Sequence, residues 1–598
     1  MQVIATAGHV DHGKSALLRA LTGMEPDRWA EERRRGMTID LGYVWMRLPS
    51  GDRLAFVDVP GHARFVPNML AGVGQVPAVL FVVAADGGWM PQSAEHLAAI
   101  DALGITRGLL AVTRADLADP AEAMAQAKEI IGRSSLGAIP TVPVSAVTGQ
   151  GIDDLVAGLG ELAASLPEPD PAAPVRIWID RVFTIAGAGT VLTGTLPAGT
   201  VSRGDELVLT PGLRPVKVRG LQSLGENQAR VAGVARVALN VRGVEAQQAG
   251  RGMALVRPGE WTLTSAIDVR LVGPAQARLP RMLTVHFGSA RVRAKVRMLG
   301  SGLARLTLAD PLPMHAGERV LLRDPGAAGD SPGITGAVVL DVVPPPISRR
   351  GAAASAVAEL RSWPDRPSAA DLLSRHKLIR SANADAMGLA EPPAEVVPGW
   401  LVHPDHLEEL KSALRGIVEA HAAEHPLAAG MPVDAARAAL RLPDREIIRA
   451  IIVPPLKMTA GLITTVNRGE PSPDSTLPAS LAAPVASVLA ELAASPFSAP
   501  EAARLRELGL DARALAAAAR HGALLRIADQ LVLAPGADVA AGRVLAGLPQ
   551  PFTAAQARAA LGTTRRTLIP LLEHLDRQRI TRRLPDDRRT VVPNRPAS

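Results

Sequence analysis

Apolar residues follow two different spacings along this chain, and the change from one to the other marks its organisation. The run from Gln2 to Ala7 suits a buried strand, and Ala16, Leu17, Leu18 and Leu21 then recur at helical spacing. Leu54 to Val57 and Leu109 to Val112 are further short apolar runs of the buried-strand kind. Together they predict an α/β domain over residues 1–168. It closes at P-E-P-D-P-A-A-P, Pro167 to Pro174, a stretch that continues neither a helix nor a central strand. Beyond it the segments are short, β-rich and broken by glycine: V-R-I-W-I-D-R-V-F from Val175, G-A-G-T-V-L-T-G-T from Gly187, and G-D-E-L-V-L from Gly204. A second strand-rich block runs from about Leu263 to Val343, and Pro344 to Pro346 end it.

The remaining 250 or so residues turn helical, and their last part repeats itself. P-F-S-A-P-E at Pro496 is echoed 55 residues later by P-F-T-A-A-Q at Pro551. Ser498 to Glu501 and Thr553 to Gln556 read as capping boxes, each opening a helix. A glycine turn follows in both, at Gly509 and Gly562, then a second helix, Asp511 to His521 and Thr564 to Arg577. Two short strands close each unit: Leu524 to Ile527 with Leu531 to Ala534, and Ile580 to Arg583 with Thr590 to Val592. Helices followed by a hairpin make a winged helix. Two more, with blurred repeats, are expected over about Ala352 to Pro404 and Asp405 to Val466.

Between the first strand and helix lies G-H-V-D-H-G-K-S, Gly8 to Ser15, which fits the phosphate-cradling pattern G-x-x-x-x-G-K-[ST]. Its glycines let successive backbone N–H groups, from Asp11, His12 and Gly13 onward, turn toward phosphates, with the positive end of the next helix behind them. Lys14 reaches the β- and γ-phosphates and the Ser15 hydroxyl is placed to ligate Mg²⁺. Thr38, in R-R-R-G-M-T-I-D, can close a switch on the Mg²⁺ and γ-phosphate. D-V-P-G-H, Asp58 to His62, ends an apolar run: Asp58 would hold Mg²⁺ through water, the Gly61 N–H would sense the γ-phosphate, and His62 is placed to orient the attacking water.

Three such motifs in order within about sixty residues resemble the translational GTPases, the family of elongation factor Tu. The resemblance implies hydrolysis of GTP to GDP and phosphate, stimulated by the ribosome, with Val10 and Met37 as the apolar gate around the switch histidine. It also implies that the two strand-rich blocks are β-barrels, over 175–260 and 261–345, the first carrying the glycine pattern Gly187, Gly189, Gly194 and Gly204. Guanine recognition departs from the family's N-K-x-D. Here Thr113, Arg114, Ala115 and Asp116 follow the fourth apolar run. Asp116 can accept both hydrogen bonds of the guanine N1–H and N2–H₂ edge, and Arg114 can stack on the ring through its stem. Thr113 is too short for every bond of the usual asparagine, and the Ala146 N–H in S-A-V, Ser145 to Val147, would read guanine O6.

Composition narrows the class. A chain of 598 residues, 47% hydrophobic and 21% charged, reads as several soluble globular domains, expected in the cytoplasm with no membrane partner and as a monomer. Zero cysteines exclude disulfides, cysteine zinc sites and a cysteine nucleophile. Charge is uneven: from Arg558 to Arg595 ten arginines face four carboxylates, a net +6 out of +7 for the whole chain. Arg565 and Arg566 open the second helix of the last winged helix, and Arg582, Arg583, Arg588 and Arg589 line its hairpin, a footprint suited to phosphates. A solvated basic face of an arginine-rich chain would read the same way.

A translational GTPase body followed by four winged helices (350–404, 405–475, 480–537 and the RNA-binding 538–598) resembles the bacterial selenocysteine-specific elongation factors. Their start is similar, and they commonly carry threonine at the position of Thr113. The resemblance implies delivery of selenocysteinyl-tRNA to the ribosome at a UGA codon marked by an mRNA hairpin, with GTP and Mg²⁺ bound. It places the aminoacyl pocket at Asp180, Arg181 and Arg236, where an arginine favours a selenolate over the neutral hydroxyl of a seryl precursor. Asp180 and Arg181 would equally suit an ordinary barrel ion pair. Two other classes remain open: a translational GTPase delivering ordinary aminoacyl- or initiator tRNA, and a GTP-regulated DNA-binding scaffold.

Overall fold

The computed structural model describes residues 1–26, 38, 40–61, 66–74, 76–187, 189–273, 279–300, 302–324, 326, 333–348, 351–389, 391–425, 427–466 and 477–592. The chain divides into two compact units, 1–395 with 399–403, and 404–598 with 396–398.

The first domain is a six-stranded sheet in the order β2-β3-β1-β4-β5-β6. Its strands are β1 (Gln2–Ala7), β2 (Gly42–Arg47), β3 (Arg53–Asp58), β4 (Val79–Ala84), β5 (Gly108–Thr113) and β6 (Thr141–Pro143). All run parallel except the edge strand β2. Among the described residues five helices flank them: α1 (Lys14–Thr22), α2 (Val66–Val73), α3 (Pro91–Leu103), α4 (Ala121–Gly132) and α5 (Ile152–Ser165). Val3, Ala5 and Ala7 enter one core with α3 and α4, while Ile4 enters the other with α1 and α5. Burial on both faces is why these strands read as continuous apolar runs rather than alternating ones.

Strands β7 (Arg176–Ile185), β8 (Gly189–Leu196), β9 (Thr200–Ser202), β10 (Glu206–Thr210), β11 (Arg214–Ser223), β12 (Glu226–Gln228), β13 (Arg230–Ala232), β14 (Ala235–Arg242) and β15 (Ala254–Val256) make the second domain. Six of them ring it in the order β10-β15-β7-β8-β14-β11, closed by pairing of β11 with β10. A second closed barrel follows, β16-β19-β18-β17-β20-β21, from β16 (Thr262–Val272), β17 (Met282–Phe287), β18 (Ala290–Gly300), β19 (Leu303–Met314), β20 (Arg319–Arg323) and β21 (Ile334–Asp341). Closure removes the sheet edges that so many short strands would otherwise expose.

Three helices, α6 (Ala352–Ser362), α7 (Ala369–His376) and α8 (Ser381–Ala386), share the core of this second barrel through Leu360, Leu372, Leu373 and Met387. Asp268 and Asp341 of the barrel are fully buried beneath them. Arg375 of α7 bridges the two at 2.5 and 3.1 Å, Arg305 adds a two-pronged bond to Asp268, and His376 lies 3.1 Å from Asp341. The first helical segment is thereby part of the first compact unit.

The other unit opens with α9 (Pro404–Glu424), the strand Met431–Pro432, α10 (Val433–Ala439), α11 (Arg445–Ile451) and the hairpin Leu456–Thr459 with Leu462–Thr465, the order of a winged helix. Two further units each place three helices before a hairpin: α12 (Ala479–Ala494), α13 (Ala502–Glu507) and α14 (Ala512–Arg520), then α15 (Ala537–Ala546), α16 (Ala554–Leu561) and α17 (Arg565–Arg577). One apolar core runs through both. The capping box at Thr553 and Gln556 forms with both reciprocal bonds. The one expected at Ser498 and Glu501 does not: α13 starts at Ala502 with no side-chain cap. Pro500 disfavours helical geometry at Ala499, where that helix would have begun.

Candidate functional site

The loop after β1 turns inward because Gly8 adopts φ +127, and a side chain there would place its Cβ 2.1 Å from the Val82 carbonyl oxygen. Lys14 is buried, and its ammonium donates to the carbonyls of Gly8 (3.0 Å) and His9 (2.7 Å). Gly61 closes over it: a Cβ at Gly61 would lie 2.4 Å from the Val10 nitrogen and 2.7 Å from Lys14 Nζ. Ser15 Oγ donates to Asp58 Oδ2 at 2.7 Å and lies 2.9 Å from Thr38 Oγ1, itself 3.5 Å from Asp58. Three elements far apart in sequence thus bring a carboxylate and two hydroxyls to one point. An all-oxygen set of this kind fits Mg²⁺, which takes few protein ligands and keeps its waters. Burial pushes the Asp58 carboxyl above its ordinary range, and the nearby Lys14 pulls the other way. His62 and Met37 lie outside the described residues.

At the other end of the loop, Thr113 Oγ1 donates to the His12 carbonyl at 2.7 Å, tying β5 to the phosphate loop. Arg114 takes a left-handed conformation, φ 58, and its guanidinium spans the Asp86 carboxylate (2.9 Å) and the Asp11 carbonyl. The two loops expected to contact the base are adjacent: Ala115 N donates to the Val144 carbonyl at 3.2 Å, with Asp116 exposed beside them. The buried Ser145 shapes the second loop by accepting from the amides of Val147 (3.3 Å) and Thr148 (3.1 Å), leaving Ala146 half-buried.

In the first barrel Asp180 and Arg181 are neighbours that do not pair with one another. A β-bulge lies at this point, between the Ile179 and Arg181 pairings with β8. Asp180 takes a two-pronged bond from Arg236 of β14, a bond from Thr193 (2.8 Å) and one from the Tyr43 hydroxyl (3.0 Å). Arg236 stacks 3.7 Å from the Tyr43 ring centroid. Arg181 turns instead to the Leu41 carbonyl, with Asp40 at 3.7 Å. A cavity of about 240 Å³ opens beside them, lined by Tyr43, Arg181, Thr193 and Arg236 and walled by Trp45, Phe183 and Leu224.

The basic face of the last winged helix is smaller than its sequence suggests. Arg565 and Arg582 are exposed and hold no ion pair among the described residues. Arg566 is exposed but donates to the Pro500 carbonyl at 2.8 Å, docking α17 on the preceding unit. Arg583 pairs with Asp587, and Arg588 with Asp586 at 2.6 Å. Arg589 is a correction: it is 6% exposed and clamps Asp576 at 2.9 Å, so it faces the core and not a ligand. Arg588, just ahead of the strand that Arg589 opens, is exposed instead. The two repeated units also differ at their second helix. Asp511 caps α14 through the Ala514 amide (2.8 Å), whereas α17 has Thr564 at that position, no acidic residue in its first turn and two arginines there.

The family model described as the elongation factor Tu GTP binding domain matches residues 1–165, that of the selenocysteine-specific elongation factor β-barrel matches 265–346, and that of the SelB winged helix matches 543–590. The selenocysteine-specific elongation factor of Escherichia coli (strain K12) is 39% identical over 58% of this chain and 56% of its own length, and that of Desulfomicrobium baculatum 37% over 54% and 53%. A crystal structure titled bacterial selenocysteine-specific elongation factor EF-Sec superposes with a TM-score of 0.79 at 26% identity, covering 99% of this chain and 100% of that one. The chain is similar to the selenocysteine-specific elongation factors in its body and in its tail. In the sequence alignments it spans about half the length of the curated relatives it matches.

Several contacts of these sites escaped sequence reading. Thr6 donates to Asp58 at 2.8 Å, Gln92 of α3 accepts from the Val10 amide (2.9 Å), and His96 Nδ1 accepts from the Gly8 amide (3.1 Å). Each is an unremarkable residue in its own segment, and only chain folding carries it to the loop. Burial, helped by Lys14 and His9, lowers the His96 pKa from 6.5 to about 3. The unfolded chain therefore binds the proton more readily between those values, so stability should fall as pH drops from about 6.5 toward 3. Thermal unfolding across that range should show a smaller loss for His96→Gln than for the parent; parallel curves would remove the assignment.

Proposed function

We propose that the chain carries selenocysteinyl-tRNA in a GTP-dependent complex and delivers it at a UGA codon marked by an mRNA hairpin, hydrolysing GTP on the ribosome. The observation that carries this reading is the arginine-lined pocket between β2 and the first barrel, on the same body as a phosphate loop.

Lys14 and the loop amides would hold the β- and γ-phosphates, with Asp116 and Ala146 facing the guanine edge. Ser15, Thr38 and Asp58 would hold Mg²⁺, which neutralises phosphate charge as it develops. His62 would orient the attacking water behind the gate of Val10 and Met37. A selenol is more acidic than a thiol and is an anion at neutral pH. Arg236 is already neutralised by Asp180, whereas Arg181 meets a carbonyl, a carboxylate at 3.7 Å and the Tyr43 ring at 5.4 Å, with no close ion pair of its own. Arg181 would therefore receive the selenolate, with Arg236 and Tyr43 holding the pocket's shape. A neutral seryl hydroxyl gains far less from such a cation in a half-buried site.

In the tail, Arg565, Arg566 and Arg582 present the footprint for the hairpin, and Arg583 and Arg588 join it only if they leave their aspartates. The deep groove of an RNA duplex is closed to a helix, so loops and backbone phosphates are the targets. We expect Arg565→Ala with Arg566→Ala to weaken hairpin binding roughly tenfold and to flatten its salt dependence by about one unit of slope per lost phosphate contact. Adding Arg582→Ala deepens both effects. Titration of a labelled hairpin at two salt concentrations tests this, and unchanged binding at both would sink the assignment. Tighter binding to duplex DNA, or preference for ordinary aminoacyl-tRNA, would point to the other readings, which the similar proteins do not favour.

A further inference from the structure

Two sites described separately are five positions apart in sequence: Thr38 sits at the Ser15 and Asp58 oxygens, and Tyr43 sits on the Asp180–Arg236 pair. Asp40 lies between them and faces the barrel with both carboxylate oxygens. Its Oδ1 accepts from Arg251 at 2.9 Å, and its Oδ2 lies 3.7 Å from Arg181 Nε. The three side chains are 23%, 30% and 22% exposed, so the charges meet in a partly desolvated seam where they are screened less than on the surface. The next residue, Leu41, supplies the carbonyl to which Arg181 donates. The other end of the β2–β3 hairpin is fixed to the barrel independently, by the two-pronged bond of Arg53 to Glu226 at 3.1 and 3.2 Å.

We infer that Asp40 is a positioning residue that couples the occupancy of the nucleotide site to the aim of Arg181 in the aminoacyl pocket. The inference rests on the carrier reading above. Two residues of chain span at most about 7 Å, so Asp40 cannot hold its place on Arg251 and Arg181 if Thr38 is drawn far from the metal oxygens. With Thr38 engaged, Asp40 and the Leu41 carbonyl hold the Arg181 guanidinium toward the cavity. With Thr38 withdrawn, Arg181 and Arg251 lose their shared carboxylate, and the cation that receives the anionic aminoacyl group is no longer oriented. The coupling is reciprocal: an occupied pocket favours Thr38 at the metal site.

The test uses the full-length chain and measures affinity for selenocysteinyl-tRNA and seryl-tRNA, each with a non-hydrolysable GTP analogue and with GDP. For Asp40→Asn, nucleotide affinities should stay within about twofold of the parent, while the ratio of selenocysteinyl-tRNA affinities in the two nucleotide states falls roughly tenfold. Arg251→Gln should lower the same ratio, its combination with Asp40→Asn should add little, and Asp40→Glu should restore most of it. An Asp40→Asn protein that keeps the parent's full ratio overturns the inference and leaves the carrier reading standing. Equal losses for both tRNAs in both nucleotide states overturn it too, because a passive clasp would give that pattern. A parent with no preference for selenocysteinyl-tRNA in either state overturns the carrier reading and the inference with it.

Discussion

Arg181→Ala and Arg236→Ala should both abolish preference for selenocysteinyl- over seryl-tRNA, and only the second should also destabilise the protein. Asp180 is 7% exposed, and its two-pronged partner is Arg236. Removing that guanidinium leaves a buried carboxylate with only the Tyr43 and Thr193 hydroxyls, a loss on the order of 3 kcal/mol. Arg236→Ala should therefore lower the thermal unfolding midpoint of the body. It should also detach Tyr43, whose ring the guanidinium covers and whose phenol burial holds in the protonated form. Arg181 lies at the rim, its contacts are one carbonyl, a loose ion pair and a distant approach to the Tyr43 ring, and its removal should leave the midpoint within about a degree or two. If its cation receives the selenolate, discrimination falls by on the order of a hundredfold while GTP binding is intact. Equal discrimination in Arg181→Ala and the parent would remove Arg181 from the pocket. Matching unfolding midpoints for Arg236→Ala and the parent would remove Arg236 from its structural role.

Lys14→Ala should cost at least a hundredfold in affinity for GTP and GDP, read by titration with a fluorescent nucleotide. Two or more charge-assisted bonds to phosphate, each contributing about 1.5–3 kcal/mol, disappear together. The folded chain should tolerate the change. Burial already lowers the Lys14 pKa from 10.5 to about 8, against the pull of Asp58 and Asp11, so its charge sits there at a cost that bound phosphates would offset further. Retention of nucleotide affinity within about threefold would place the phosphates elsewhere.

The proposed nucleotide site was legible because its residues cluster in short motifs whose spacing phosphate geometry would impose. Lys14, Ser15, Thr38 and Asp58 meet as their motifs imply, and Thr113 turns out to bond the His12 carbonyl, a role its short side chain can reach. The pocket was legible by position but not by partnership. Asp180 and Arg181 are adjacent in sequence, yet the β-bulge and the arrival of β14 give Asp180 to Arg236 and turn Arg181 toward the nucleotide domain. Asp40 ends the R-R-R-G-M-T-I-D stretch with no role that its spacing assigns, and Tyr43 and Arg251 lie outside the motifs read for chemistry.

The basic tail shows the same division. Ten arginines over Arg558 to Arg595 announce a phosphate-binding face, and repeated capping and turn residues announce a winged helix. Which arginines are available was decided by tertiary structure, which locks Arg589 onto Asp576 and pairs Arg583 with Asp587 and Arg588 with Asp586. By itself the sequence determined the order of domains, the phosphate loop and the sign of the tail, since those depend on local spacing and summed charge. Only the folded chain decided which charge neutralises which and that α6 to α8 share the core of the second barrel. Ion pairing and desolvation depend on distances of a few ångströms between residues tens or hundreds of positions apart, and no local pattern encodes them.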